Sequence, residues 1–256
     1  MYKNNLVNCM LLISIGLLTG KTNAQMPMEI FQNPKNLKVL PSDISPEELR
    51  ETMFSFGQQT GIRCSKCHNF EPGTPFEERD YASDEKELKR VAREMMRMVN
   101  TINEAVSAID RDPGHNALKV QCVTCHRGVR QPRQIEEIFE SKMQESGLTE
   151  AIDQYKKLRE RYLVNGVYNF TAWRLGGIAQ SVFDSGDTDG GMQVHALNYE
   201  LNPDDGSVYF HRGESFEKQG RINEAIADFE RAFELEKSFR FLEHRIAQLK
   251  GEQEGK

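Results

Sequence analysis

Two short strings constrain this chain more than any other feature: CSKCHNF beginning at Cys64 and CVTCHRG beginning at Cys122, fifty-eight residues apart. Four of the five cysteines in 256 residues thus stand in two copies of C-x-x-C-H. Paired C-x-x-C knuckles bind zinc in cytosolic proteins, a lone C-x-x-C serves redox exchange, and C-x-x-C-H is the attachment sequence for c-type haem. The compartment largely decides among them.

The chain opens MYKNNLVNCMLLISIGLLTGKTNAQ. Lys3 lies in a short basic start, and Met10 to Leu18 are apolar apart from Ser14 and Gly16. Thr22 and Ala24 fall three and one residues before a cut at Ala24–Gln25. That is the pattern of a Sec-type signal peptide over residues 1–24. The apolar run is well short of the roughly 20 residues of a spanning helix, and Cys9 comes too early, after the wrong residues, for a lipoprotein cysteine. The expectation is an exported protein, periplasmic or equivalent, soluble once cleaved. Removing residues 1–24 takes away Lys3 and Lys21 and no acid, which moves the net charge from −6 to −8. An acidic surface argues against nucleic acid and anionic lipid as partners. Hydrophobic residues make up 38% of the chain, low for a conventionally packed enzyme of this size, and a bound cofactor supplies the missing apolar volume.

An exported chain normally oxidises its thiols to disulfides, and Cys64, Cys67, Cys122 and Cys125 could make two. A disulfide has no use for the histidine that follows each second cysteine, His68 and His126, in a chain with only six histidines. A zinc site on the four cysteines leaves both histidines unexplained and needs reduced thiols in an oxidising compartment. Haem attachment uses every residue, with two thioethers to the porphyrin and the adjacent imidazole as proximal iron ligand. The expected cofactors are two covalently bound haem c. Each iron then needs a sixth ligand or an open position, and that choice separates electron carriers from catalysts.

Candidates for the sixth ligand fall on helices. In SDISPEELRETMFSFGQQTGIRC, Ser45 reads as N-cap, Pro46 as first helical residue, Glu48 as the far half of a capping box and Gly61 as the stop. Leu49, Met53 and Phe56 share one face, and Met53 precedes Cys64 by eleven residues, enough for the helix to lie over the opposite haem face. A plain core methionine is the alternative. In SDEKELKRVAREMMRMVNTINEAVSAID, Ser83 reads as cap, and Leu88, Val91, Ala92, Met95, Val99, Ile102 and Val106 form one apolar stripe. Met98 lies at its edge and Met96 on a more polar face, so periodicity favours Met95 or Met98 without choosing. His115, seven residues before Cys122, is a competing ligand.

The strings KVLPSDISPEELRETMFSFGQQTGIRCSKCH, ASDEKELKRVAREMMRMVNTIN and VQCVTCHRG closely resemble the cytochrome c subunit of photosynthetic reaction centres and its shorter relatives, from about Lys38 to Pro132. In that family each haem unit is an axial-ligand helix, a turn and C-x-x-C-H. The resemblance implies Met53 as sixth ligand to the haem on Cys64, Cys67 and His68. It implies Met95, the methionine after VARE, for the haem on Cys122, Cys125 and His126. The photosynthetic subunit holds four haems, whereas two motifs amount to one half of it. A histidine that the family places late in the second helix falls at or near Ile109 here. With no third or fourth motif that change is self-consistent, and photosynthesis is not an expectation.

Beyond GVRQPRQ the cysteines end and the pattern changes. In SVYFHRGESFEKQGRINEAIADFERAFELEK, residues Tyr209, Gly213, Phe216, Gly220, Ala225, Phe229 and Ala232 stand at the offsets of a tetratricopeptide repeat. A degenerate copy ends at Pro203, and LTEAIDQYKKLRERY reads as one helix of an earlier unit, although Lys237 stands where the closing proline is usual. The chain therefore reads as all-α: a signal peptide over 1–24, a dihaem cytochrome c domain over 25–135 and a tetratricopeptide-like helical repeat domain over 136–256. His195, His211 and His244 read as surface or packing residues, Trp173 as repeat core, and the last helical run as a cap. Stacked repeats offer a concave docking surface. The expected partners are redox proteins, including a membrane-bound electron-transfer complex docked through the repeats. The expected function is electron transfer with both irons ligated by His and Met, rather than catalysis. A dihaem peroxidase with one labile axial ligand and a haem-based scaffold or sensor are the alternatives.

Overall fold

The computed structural model describes residues 26–109 and 118–254. Residues 1–24, read above as a signal peptide, and His115 lie outside the described residues. Among the described residues, eleven α-helices and two short 3-10 turns carry the fold. Among the described residues no strand forms, and Asn69 and Asp80 make one isolated antiparallel bridge. The all-α class expected from sequence is the class observed.

Local chemistry sets the first helix, α1 (Pro46–Thr60). The Ser45 hydroxyl accepts the Glu48 N–H at 3.2 Å, and the Glu48 carboxylate accepts both the Ser45 N–H and O–H. Those bonds from Ser45 hold the Glu48 carboxyl below the ordinary range. Gly61 closes the helix at φ +67°, a conformation in which a side chain is strained. The one-turn α2 (Cys64–Cys67) follows, and then the long α3 (Glu87–Ser107). Here one expectation is corrected: Ser83 does not cap α3. Its hydroxyl accepts the Glu85 N–H at 3.1 Å in a turn before the helix. The neighbouring Asp84 is drawn away by distant partners, Lys38 at 2.6 Å and Asn36 at 2.9 Å, so the chain cannot begin its helix there.

The described residues divide into two compact units. One runs through Met53 and includes Cys64–Glu94; the other joins Phe54–Arg63 to everything from Met95 onward. After α4 (Cys122–His126), the second unit is a succession of helices: α5 (Ile135–Ser146), α6 (Leu148–Tyr162), α7 (Ala172–Asp184), α8 (Thr188–Leu201), α9 (Gly206–Lys218), α10 (Ile222–Leu235) and α11 (Phe241–Glu254). α7 packs on α8 and α9 on α10 as hairpins, with α7 also against α9. Gly186 (φ +97°) and Gly220 (φ +72°) turn the two hairpins. A Cβ on Gly213 would lie 2.6 Å from the Phe229 ring, so glycine is what lets α9 approach α10.

Two apolar clusters hold these helices, one around Phe139, Tyr155 and Leu175, the other around Tyr209, Phe229 and Leu242. His195 and His211 are buried as packing residues, while His244 is exposed. Trp173 departs from expectation. It is 49% exposed rather than core, because its ring lies flat on Phe210 at 5.6 Å and beside His211 at 4.5 Å instead of entering the hairpin interior.

Candidate haem-attachment sites

The first motif is a single turn of helix, which sets the thiols of Cys64 and Cys67 three residues apart on one side. The His68 N–H donates to the Cys64 carbonyl at 2.9 Å, so the imidazole leaves from the same turn. Its Nδ1 donates to the Tyr81 carbonyl at 3.1 Å. A carbonyl can only accept, so Nδ1 carries the proton and Nε2 carries the lone pair. Metal-ligating histidines are oriented in this way. Burial pushes the His68 imidazole below its ordinary range; Lys89 and Arg93 push the same way, against the Tyr81 bond and Asp80. The neutral ring is the form that binds a metal.

Tyr81 sits in a pinned loop. Its ring meets His68 edge-on at 5.4 Å and Phe70 at 5.7 Å. Lys89 Nζ donates to the carbonyls of Tyr81, Ala82 and Ser83 at 2.8–2.9 Å. Arg93 bonds Asp84 at 2.6 Å, and Lys38, Asn36 and Arg93 together hold the Asp84 carboxyl well below the usual range. Met53, half-buried on α1, belongs to the same compact unit as Cys64, Cys67 and His68.

The second motif is α4, started by a capping box between Gln121 and Thr124 and ended by Arg127 in the left-handed conformation, φ +49°. The His126 Nδ1 donates to the Val129 carbonyl at 3.0 Å, again leaving Nε2 with its lone pair. Three elements position this turn. Gln59, at the end of α1, accepts the Val123 N–H with its side chain at 3.0 Å and the Gly128 N–H with its carbonyl at 2.9 Å. Asn103 of α3 clamps Val120 through both its backbone groups, at 2.7 and 2.9 Å. Gly61 comes so near that an added Cβ would lie 2.2 Å from the Gly128 carbonyl oxygen. Burial pushes the Cys122 thiol above its ordinary range, and Cys125 adds to the effect.

α3 buries no residue. Its apolar stripe is only partly covered: Leu88, Ala92, Val99, Ile102 and Val106 are half-buried, whereas Val91 is 40%, Met95 44% and, at the edge, Met98 46% exposed. A helix this amphipathic normally presses its stripe against a core, so the stripe fits a flat apolar group. Exposure does not separate Met95 from Met98. None of Cys64, Cys67, Cys122 and Cys125 is in a disulfide. Among the described residues no three or more His, Cys, Asp or Glu side chains gather into a metal-binding group. Haem c fits this donor set, which offers paired thiols, a neutral imidazole with its second nitrogen engaged, and uncovered apolar surface. Sequence reasoning did not reach the carbonyls of Tyr81 and Val129, nor Gln59, Asn103 and Lys89. Backbone acceptors leave no mark in residue identity, although the polar Asn103 beside the stripe residue Ile102 was a usable signal.

A thiol pair on one helical turn, closed by an imidazole committed through Nδ1 and repeated twice in an all-α chain, defines a c-type cytochrome. The family model of the photosynthetic reaction centre cytochrome C subunit matches residues 19–162, more than half of the chain, and the protein belongs to that family. No curated protein matches it. The match runs past the second motif through α5 and α6. Membership implies haem-based electron transfer, covalently held haem c and an electron-transfer partner in a membrane complex. No described helix is long and apolar enough to cross a membrane.

Proposed function

We propose that the protein is an exported dihaem cytochrome that passes single electrons between partner proteins. His68 and Met53 ligate the iron tethered at Cys64 and Cys67; His126 and Met95 ligate the iron tethered at Cys122 and Cys125. The observation that carries this reading is the pair of Nδ1 bonds to the Tyr81 and Val129 carbonyls, which leave both Nε2 atoms as lone-pair donors. Bound haem supplies a one-electron ferric–ferrous couple. The cysteines fix each group in place, and the imidazoles keep one orientation and one tautomer. A methionine sulfur raises the potential relative to a second histidine, which suits a carrier on the oxidising side of a chain. With a histidine and a methionine holding each iron, a small molecule would find no place on it, and outer-sphere transfer would be what remains. Residues 1–24 direct export, and residues 136–256 form a tetratricopeptide-like repeat domain on which a redox partner docks.

The test is the weak near-infrared band of sulfur–iron charge transfer. The oxidised protein should show it at an intensity scaled to two irons. Met53→Ala and Met95→Ala should each remove half, and Met98→Ala should leave it whole. High-spin features with turnover of hydrogen peroxide would instead support the peroxidase alternative and overturn the proposal.

A further inference from the structure

We propose that Lys89 is a positioning residue that raises the reduction potential of the haem at Cys64 and Cys67, because it shares the carbonyl that receives the His68 imidazole. The inference rests on the first motif holding haem, as proposed above.

Lys89 Nζ lies 2.9 Å from the Tyr81 carbonyl oxygen and 2.8 Å from those of Ala82 and Ser83. Three acceptors take all three protons of an ammonium, and a neutral amine has only two to give. The nitrogen therefore carries its charge, on a side chain only 12% exposed. The Tyr81 oxygen also receives the His68 Nδ1–H at 3.1 Å. One carbonyl thus stands between a part-buried cation and the proximal imidazole.

Two effects of the same sign follow. A carbonyl whose electron density is drawn toward an ammonium is a weaker acceptor for Nδ1–H, so the imidazole keeps less anionic character and gives less density to ferric iron. A fixed positive charge at this depth also favours the less positive oxidation state directly. The nearby charges do not cancel it. Asp84 lies 3.6 Å from Lys89, yet the same carboxylate serves Lys38 and Arg93, each at 2.6 Å, so three cations face one anion. Asp80, the acid acting on both His68 and Lys89, adds a second anion and also accepts the N–H groups of Ala82 and Ser83 at 2.9 Å, which leaves three cations against two. The second site lacks the device. His126 donates to Val129, three residues on in its own turn, and among the described residues no side-chain cation donates to that carbonyl.

The experiment is a spectroelectrochemical titration of the full dihaem protein and its Lys89→Met variant. One of the two one-electron components should fall by about tenfold in its reduction equilibrium, ~59 mV, and the other should stay. In the reduced, diamagnetic protein the His68 Nδ1 proton should move downfield as its bond to Tyr81 strengthens. A role confined to pinning the loop would lower stability and move neither readout. Lys89→Arg, which keeps the charge, should hold the potential within about threefold. Should Lys89→Met fail to fold, Asp84→Asn decides, since removing the anion should raise the same component. Two loaded haems with unmoved or equally moved potentials overturn this inference alone; a chain with no haem at Cys64 overturns the proposed function with it.

Discussion

The sharpest structural test concerns Gly61, where the end of α1 meets the turn after the second motif. Its φ of +67° lies in the left-handed region, and an L-residue held there costs about 1 kcal/mol. In Gly61→Ala the new Cβ would also lie 2.2 Å from the Gly128 oxygen and 3.1 Å from its carbon. Both atoms are backbone, so relief requires the two segments to separate. The Gly128 N–H to Gln59 carbonyl bond, 2.9 Å long, is then lost, at about 1–2 kcal/mol. The expected total is about 3 kcal/mol. Gly166 is the control: it lies in the same compact unit, its φ is +61°, and nothing stands within 4 Å of an added Cβ. Gly166→Ala should therefore cost only the conformational part, about 1 kcal/mol. Urea unfolding of the dihaem protein, followed by far-ultraviolet ellipticity, should separate the variants by about 2 kcal/mol, or about 1 M in midpoint. Equal costs within ~0.5 kcal/mol would refute the close approach as the reason for glycine at position 61.

Three further outcomes follow from the helical unit. His195 is buried and its imidazole is pushed down to about 3 by burial, with His211 and Arg212 adding; unfolded, it titrates near 6.5. Its contribution is therefore complete above about pH 6.5 and falls by about 1.4 kcal/mol per unit as pH drops toward 3. Stability–pH curves of wild type and His195→Gln should converge with acidification, and parallel curves would contradict the assignment. Asp228, almost fully buried, accepts two bonds from Arg212 at 2.7 and 2.8 Å. Asp228→Ala should cost about 2–3 kcal/mol in thermal unfolding, against ~0.5 kcal/mol or less for the exposed Glu145→Ala. Gly213→Ala should cost about 1–3 kcal/mol by overpacking Phe229, and a neutral result in the same assay would show that α9 and α10 can part cheaply.

What was legible in the sequence was whatever neighbouring residues decide. Ser45, Pro46, Glu48 and Gly61 bound α1 because capping and left-handed turns act over three or four residues. Gly213 and Phe229 were legible by another route, since the repeat offsets set a small residue on one helix and an aromatic on the next. The start of α3 was not, because Asp84 answers to Asn36 and Lys38, more than forty residues away. Nor was the exposure of Trp173, since a helical stripe states which residues share a face but not whether a neighbour covers it. At the sites, the cysteines and histidines are visible as letters. The carbonyls of Tyr81 and Val129 that orient the rings depend on backbone geometry alone.

Intact-mass measurement of the mature protein, produced in a host with working cytochrome maturation, tests the central claim most directly. The polypeptide from Gln25 onward should carry the added mass of two haem groups under denaturing conditions, and a Cys122→Ala/Cys125→Ala variant should carry one. A mass equal to the amino acids alone would contradict the account.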